Sequence, residues 1–201
     1  MQTTFYFVRH GEVKNPQKIW YGRLKGYDLS DKGKSEIKES AEFLSGLHID
    51  EIYSSPLLRA KTTANIVKNT LGLPTVDFTP LLLEIGSSLE GSLYSYLDTM
   101  NYDVFASSTN TVVGESIDQV VTRIMIFLKK TDGAHKGKHI VAVTHGDIMM
   151  LLKPLAMLES PITLQSIRKK TEPYVGHGEI YNLVYQDNKI ISCDSIFLPN
   201  S

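Results

Sequence analysis

The sequence predicts an α/β protein: a three-layer α/β/α sandwich on a mostly parallel sheet, with a small cap or lid inserted at about residues 80–114. Three observations predict it. TTFYFV (Thr3 to Val8) and HIVAVT (His139 to Thr144) are β-rich runs without the alternation of a half-exposed strand, as expected of strands buried on both faces. Between such runs lie segments whose apolar residues recur every three or four positions, the stripe of an amphipathic helix. The late stretch EIYNLVYQDNKIISCDSIF reads as two strands about a turn at Asp187-Asn188, which adds an antiparallel edge.

The first strand runs over Thr3–Val8. In LSDKGKSEIKESAEFLSGL, Ile37, Ala41, Leu44 and Leu47 share one helical face, with Ser30 or Asp31 as N-cap. IDEIYSS is a second strand. SPLLRAKTTANIVKNTLG follows as a helix with Ser55 as cap, Pro56 at the first helical position and Gly72 as stop. Its inward face is Leu57, Ala60, Ala64, Val67 and Leu71. TVDF is a short third strand. From Pro80 to about Gly114 periodicity weakens into Gly, Ser, Thr, Asn and Tyr, too long for a simple connection and so read as the cap. ESIDQVVTRIMIFLKK resumes as a helix with Ser116 and Gln119 in capping-box spacing. The run 139–144 is a strand, and GDIMMLLKPLAML a helix that Pro154 bends or ends.

The chain has 201 residues, 42% of them hydrophobic and 21% charged, enough for one domain with a real core. A formal net charge of -1 argues against a general nucleic-acid binder. The one basic run, Ser166 to Glu172, reads as a solvated face or loop. Cys193 is the single cysteine, so neither a disulfide framework nor a thiolate metal cluster can form. No apolar run reaches the roughly 20 residues of a membrane span, and the start has no secretory signal pattern. A cytoplasmic protein without membrane partners is expected.

In open α/β sheets ligands bind beyond the carboxyl ends of the strands, at a switch in strand order. Arg9, His10 and His145 all fall at such ends. Arg9 offers a permanently charged fork shaped for phosphate oxygens. Gly11 lets the chain turn tightly behind His10 and keeps a backbone N–H open to a ligand. THGD repeats the strand-His-Gly form of RHGE far along the chain. Together they read as one anion pocket built from both ends of the sequence.

These blocks also occur in company: RHGE, GRLKGYDLSDKG, IYSSPLLRAKTTA, GES ahead of the helix that carries Arg123, and VTHGD. In order and spacing they resemble the histidine phosphatase superfamily, which includes cofactor-dependent phosphoglycerate mutases. The resemblance covers most of the chain and is poorest over 80–114 and 155–176. It implies a phosphoglycerate mutase-like fold and His10 as a nucleophile forming a phosphohistidine. Arg9, Arg59 and His145 would surround the transferring phosphoryl group. The physical case agrees: two guanidinium charges disfavour protonation of His10 and offset charge on the equatorial oxygens. The resemblance places the proton donor in LLLEIGSSLEGS, with Glu84 first and Glu90 second; Glu84 is preferred, although the spacing between them is one residue shorter than in the family. Apolar neighbours Leu82, Leu83 and Ile85 would raise its pKa. Asn15 is a further phosphate-binding candidate by the same resemblance, and also a good turn residue before Pro16.

The resulting expectation is a metal-independent histidine acid-type phosphatase, without cofactor, acting on a small phosphomonoester. No His/Asp/Glu grouping has metal-ligand spacing. A phosphoglycerate mutase-type phosphotransferase and a non-catalytic phosphate-binding module are the alternatives. The cap decides against the mutase: with Tyr94, Tyr96, Tyr102 and Phe105 but no basic residue over 87–114, it offers nothing to hold a substrate carboxylate. Substrate identity and oligomeric state are not legible.

Overall fold

The computed structural model describes residues 1–99, 114–159, 161–163, 173–197 and 199. Six strands form one sheet in the order β3-β2-β4-β1-β5-β6: β1 (Thr3–Arg9), β2 (Glu51–Ser54), β3 (Asp77–Phe78), β4 (His139–Thr144), β5 (Ile180–Gln186) and β6 (Lys189–Phe197). The helices are α1 (Asp31–Ser45), α2 (Leu58–Leu71), α3 (Tyr94–Thr99), α4 (Ile117–Ala134) and α5 (Gly146–Ala156), with a 3-10 turn at Pro80–Leu82. β1, β2, β3 and β4 are parallel, while β5 runs antiparallel to β1 and β6 antiparallel to β5. The expected sandwich forms, with the late hairpin at one edge. Its turn residues Asp187 and Asn188 have φ of 51° and 62°, left-handed values that Asp and Asn tolerate and that a type I′ turn requires.

The two layers of helices explain why β1 and β4 lack alternation. Phe5, Phe7, Ile140 and Ala142 pack with Val120, Ile124, Phe127 and Leu128 of α4 and with Ile148, Met149 and Leu152 of α5. Tyr6, Val8, Val141 and Val143 face the other way, onto Ile37, Ala41 and Leu44 of α1 and Ala60, Ala64 and Val67 of α2. Both faces of the same strands therefore exclude water.

Local signals set most boundaries. Ser30 caps α1 by accepting from the Gly33 N–H, and Ser116 and Gln119 form the reciprocal capping box of α4. Gly72 ends α2 in the left-handed region at φ 68°. Two expectations need correction. α2 starts at Leu58 with Leu57 in the cap position and no side-chain cap; Ser55 lies upstream because its hydroxyl is held by His145 at 2.7 Å, and Pro56 precedes the helix. α5 continues through Pro154 to Ala156, since a proline in the final turn forfeits only the bond to the Met150 carbonyl.

Of the expected cap, residues 100–113, with Tyr102 and Phe105, lie outside the described residues, as does the basic run 166–172. Among the described residues no helix is long and apolar enough to cross a membrane.

The chain leaves β1 toward β2 on one side and leaves β4 toward β5 on the other. The crevice at the carboxyl ends of β1 and β4 is therefore the switch in strand order where such sheets bind ligands. Arg9 pairs with Thr144 in the last register position. His10 and His145 follow directly.

Candidate active site

His10 leaves β1 with its backbone N–H still on Thr144 O at 3.1 Å, and its ring is buried. Gly11 is required behind it: a Cβ there would lie 2.3 Å from the Gly33 carbonyl oxygen at the start of α1. Two hydrogen bonds fix the ring. Nδ1 lies 2.8 Å from Gly11 O, and Arg59 Nε donates to Nε2 at 3.1 Å. A carbonyl only accepts and a guanidinium only donates, so Nδ1 carries the proton and Nε2 presents a lone pair. Burial holds the imidazole well below its ordinary pKa, and the charges of Arg59 and Arg9 push the same way. His10 is held as a neutral imidazole whose Nε2 lone pair faces the Arg59 guanidinium.

Arg59 is fully buried, on the core-facing side of α2 with Ala60, Thr63 and Ala64. Its guanidinium lies 4.7 Å from the Tyr21 ring centre, and Nη2 donates to Gly22 O at 2.7 Å. Arg9 packs against Tyr174 at 5.1 Å and donates to Val175 O at 2.6 Å. His145, also fully buried, stands edge-on to His10 with ring centres 5.2 Å apart. Among the described residues neither arginine has a carboxylate in ion-pair contact.

Among the described residues four buried side-chain polar atoms lack a hydrogen-bond partner, and three of them belong here: Arg9 Nε, Arg59 Nη1 and His145 Nδ1. An unsatisfied buried donor costs on the order of 1–3 kcal/mol. A buried Arg59 and a partly buried Arg9, neither with a counter-ion among the described residues, and spare nitrogens beside the neutral His10 imidazole suit a dianionic tetrahedral group such as phosphate.

Glu84 is 7% exposed. Its carboxyl pKa is raised to about 8, by burial first and then by Asp147, against the opposing pull of Arg59, which favours the protonated form near neutrality. Glu90 does other work: its Oε1 accepts the Arg23 N–H at 3.0 Å. The backbone of Glu84 is clamped. Arg23 Nε donates to Glu84 O at 2.7 Å and Arg123 Nη2 to the same oxygen at 3.3 Å. Glu115 holds both arginines and takes the Gly86 N–H as well. Glu115→Gln removes the charge that keeps two guanidinium groups together and leaves them poorly matched. It should lower stability by about 1–3 kcal/mol in urea denaturation.

The crevice thus brings together Arg9, His10, Arg59, His145 and Glu84. The Asn15 amide donates to Ile19 O at 2.8 Å and its oxygen accepts the Ile19 N–H at 3.3 Å, bonds that close the loop after β1. Four residues at the site were not foreseen from sequence. Tyr21 lies under Arg59, Ser55 holds His145 Nε2, Tyr174 covers Arg9 and donates to Asp147 at 3.1 Å, and His177 lies 5.9 Å from the His10 ring. His177 had a signal, a third His-Gly pair, but it precedes a strand instead of following one. Tyr174 forces a glycine opposite: a Cβ on Gly146 would come within 2.2 Å of its hydroxyl.

The sequence profile of the histidine phosphatase superfamily (branch 1) matches residues 5–187. The chain belongs to this superfamily. Among histidine phosphatases it is 33% identical over 162 residues to the metal-independent phosphoserine phosphatase of Arabidopsis thaliana, across 73% of this chain and 66% of that one. It is 31% identical over 148 residues to phosphoserine phosphatase 1 of Hydrogenobacter thermophilus, across 69% of this chain and 68% of that one. The chain thus spans about two thirds of each relative's length. The fold agrees with that of a mycobacterial glucosyl-3-phosphoglycerate phosphatase (TM-score 0.78, 19% identity, all of both chains). It also agrees with a Bacillus anthracis phosphoglycerate mutase (TM-score 0.76, 22% identity, 97% of this chain and 92% of that one). The phosphoglycerate mutase-like architecture expected from the sequence is therefore the one observed.

Proposed function

We propose that this chain is a phosphatase that hydrolyses phosphate monoesters through a phosphohistidine on His10, with Glu84 as proton donor. The observation that carries this reading is the protonation pattern: a neutral His10 whose Nε2 lone pair is held only by Arg59 Nε, beside nitrogens of Arg9, Arg59 and His145 that have no partner among the described residues. The phosphatase relatives support it, two of them named for phosphoserine.

The chemistry follows from these groups. A phosphate dianion entering the crevice offers Arg59 better acceptors than His10 Nε2, which frees the lone pair. Nε2 attacks phosphorus and the ester P–O bond breaks. Its electron pair leaves on the alcohol oxygen, which takes the proton of Glu84. The phosphorylated ring is cationic, and its Nδ1–H stays on the Gly11 carbonyl. Water then attacks phosphorus from the vacated side and gives a proton to Glu84 while the P–N bond breaks. Two guanidinium groups supply the charge stabilisation that the equatorial oxygens need. The described cap residues 87–99 contain no Lys or Arg, which weighs against a site for a second, carboxylate group of the substrate.

The test is rapid-quench turnover of p-nitrophenyl phosphate by wild type in the presence of a chelator. A burst of p-nitrophenol and an acid-labile, alkali-stable phosphoprotein are expected. Steady turnover with no trapped phosphoprotein would overturn the covalent route.

A further inference from the structure

We propose that His177 is a further catalytic residue, an N–H donor to an equatorial oxygen of the phosphoryl group on its way to His10. This rests on the phosphatase reading above. The inference starts from how the residue is held. The segment 174–179 is pinned to β1 from both sides: Arg9 Nη1 donates to Val175 O, Gly178 N–H to Arg9 O at 3.1 Å, and Arg9 N–H to Glu179 O at 3.1 Å. The buried Glu179 carboxylate takes the Gly176 N–H at 2.7 Å and the Ser195 hydroxyl at 2.8 Å. Ser40 of α1 donates to Gly178 O at 2.7 Å. Gly178 has φ 71°, and a Cβ on it would lie 2.8 Å from Ser40 Oγ.

All of these bonds fix backbone next to His177. Among the described residues its own ring has no hydrogen bond, yet it is half-buried and lies 5.9 Å from His10, tilted by 38°. A tightly braced loop that delivers an unpartnered imidazole to a nucleophile is a feature that a ligand completes. Position decides which role it can take. The leaving group must lie opposite His10 Nε2 across phosphorus, so a ring beside His10 reaches the equatorial oxygens and not the bridging one. Charge is consistent with donation by a neutral ring. Burial, Arg9 and Lys32 bring the pKa of His177 down to about 3, so it adds an N–H without a third cation crowding the arginines.

The test uses His177→Phe, which keeps the ring's bulk and lacks the donor, and His177→Gln, which restores an N–H. Binding of inorganic phosphate and of vanadate is measured by calorimetry beside turnover of p-nitrophenyl phosphate. His177→Phe should weaken vanadate binding and lower kcat/KM together, each on the order of 10–100-fold, and His177→Gln should recover part of both. Unchanged anion binding and turnover in a folded His177→Phe protein would overturn the proposal. So would equal losses in both variants, which would show that the ring only packs. Because phosphate and vanadate binding needs no turnover, an inactive wild type would sink the phosphatase reading while the binding comparison still decided the role of His177.

Discussion

His10→Ala is expected to abolish the trapped phosphoprotein and to lower kcat by on the order of 10⁵–10⁶-fold, the scale set by deleting a covalent nucleophile. The same variant should still bind inorganic phosphate with an affinity close to that of wild type. The split follows from the division of labour in the crevice. His10 presents a lone pair, and its one proton is already given to Gly11 O at 2.8 Å, so it offers a resting anion little. The nitrogens of Arg9, Arg59 and His145 that have no partner among the described residues remain when the imidazole is gone. Arg59 Nε, which donates to His10 Nε2 at 3.1 Å, then has only the anion to turn to. Rapid-quench trapping and phosphate calorimetry on one preparation check both halves. A phosphoprotein that persists in His10→Ala would move the nucleophile elsewhere, and lost phosphate binding with residual turnover would make His10 a ligand.

What was legible in the sequence was what neighbouring residues encode. Runs apolar at every position gave β1 and β4, Gly72 gave the end of α2, and Ser116 with Gln119 gave the start of α4, each a signal complete within a few residues. Arg9, His10 and His145 were legible because strand ends are where this architecture places ligands. Arg59 needed the family resemblance, since a charged residue on a helix reads as exposed, whereas here it lies among Ala60, Thr63 and Ala64 on the buried face. What stayed hidden depends on distant partners. Ser55 looks like a helix cap until His145, 90 positions away in sequence, takes its hydroxyl. Glu115 looks like a helix-start carboxylate until Arg23 and Arg123 converge on it and on the Glu84 carbonyl. No local pattern announces a bond whose two ends fold together from different elements.

The same distant contacts separate the two glutamates that spacing alone left in competition. Glu90 spends its carboxylate on the backbone N–H of Arg23, which shapes the loop carrying Tyr21 and Gly22 against Arg59. Glu84 is buried beside Arg59 and Asp147, with one oxygen on the Ile85 N–H at 3.0 Å. Desolvation, reinforced by the Asp147 carboxylate, outweighs the pull of Arg59 and favours a carboxyl that keeps its proton near neutrality. Glu84 is therefore the one suited to protonate a leaving oxygen.

Glu84→Gln should then show three linked effects. On an alkyl phosphate, whose alkoxide leaves poorly without a proton, kcat should fall by ~10²–10⁴-fold. On p-nitrophenyl phosphate, whose phenolate leaves unaided, the loss should stay below about tenfold. The pH profile on the alkyl substrate should change as well. A donor works while protonated, so wild-type activity declines as pH rises through the Glu84 pKa, about 8 in the free protein, and higher once a dianion sits beside it. That alkaline limb should vanish in the variant. Stability should move oppositely. Below the ordinary carboxylate range both folded and unfolded chains hold this proton, and burial costs no ionisation. As pH rises above that range the unfolded chain ionises while the folded one does not, so stability drains until pH passes about 8. Glutamine never ionises and escapes this loss. Glu84→Gln should therefore match wild type in urea denaturation at pH 4 and exceed it at pH 8. Equal losses on both substrates would mean that Glu84 holds the phosphate instead of moving a proton, and equal stability at both pH values would mean that its carboxyl ionises in the folded protein as it does in water.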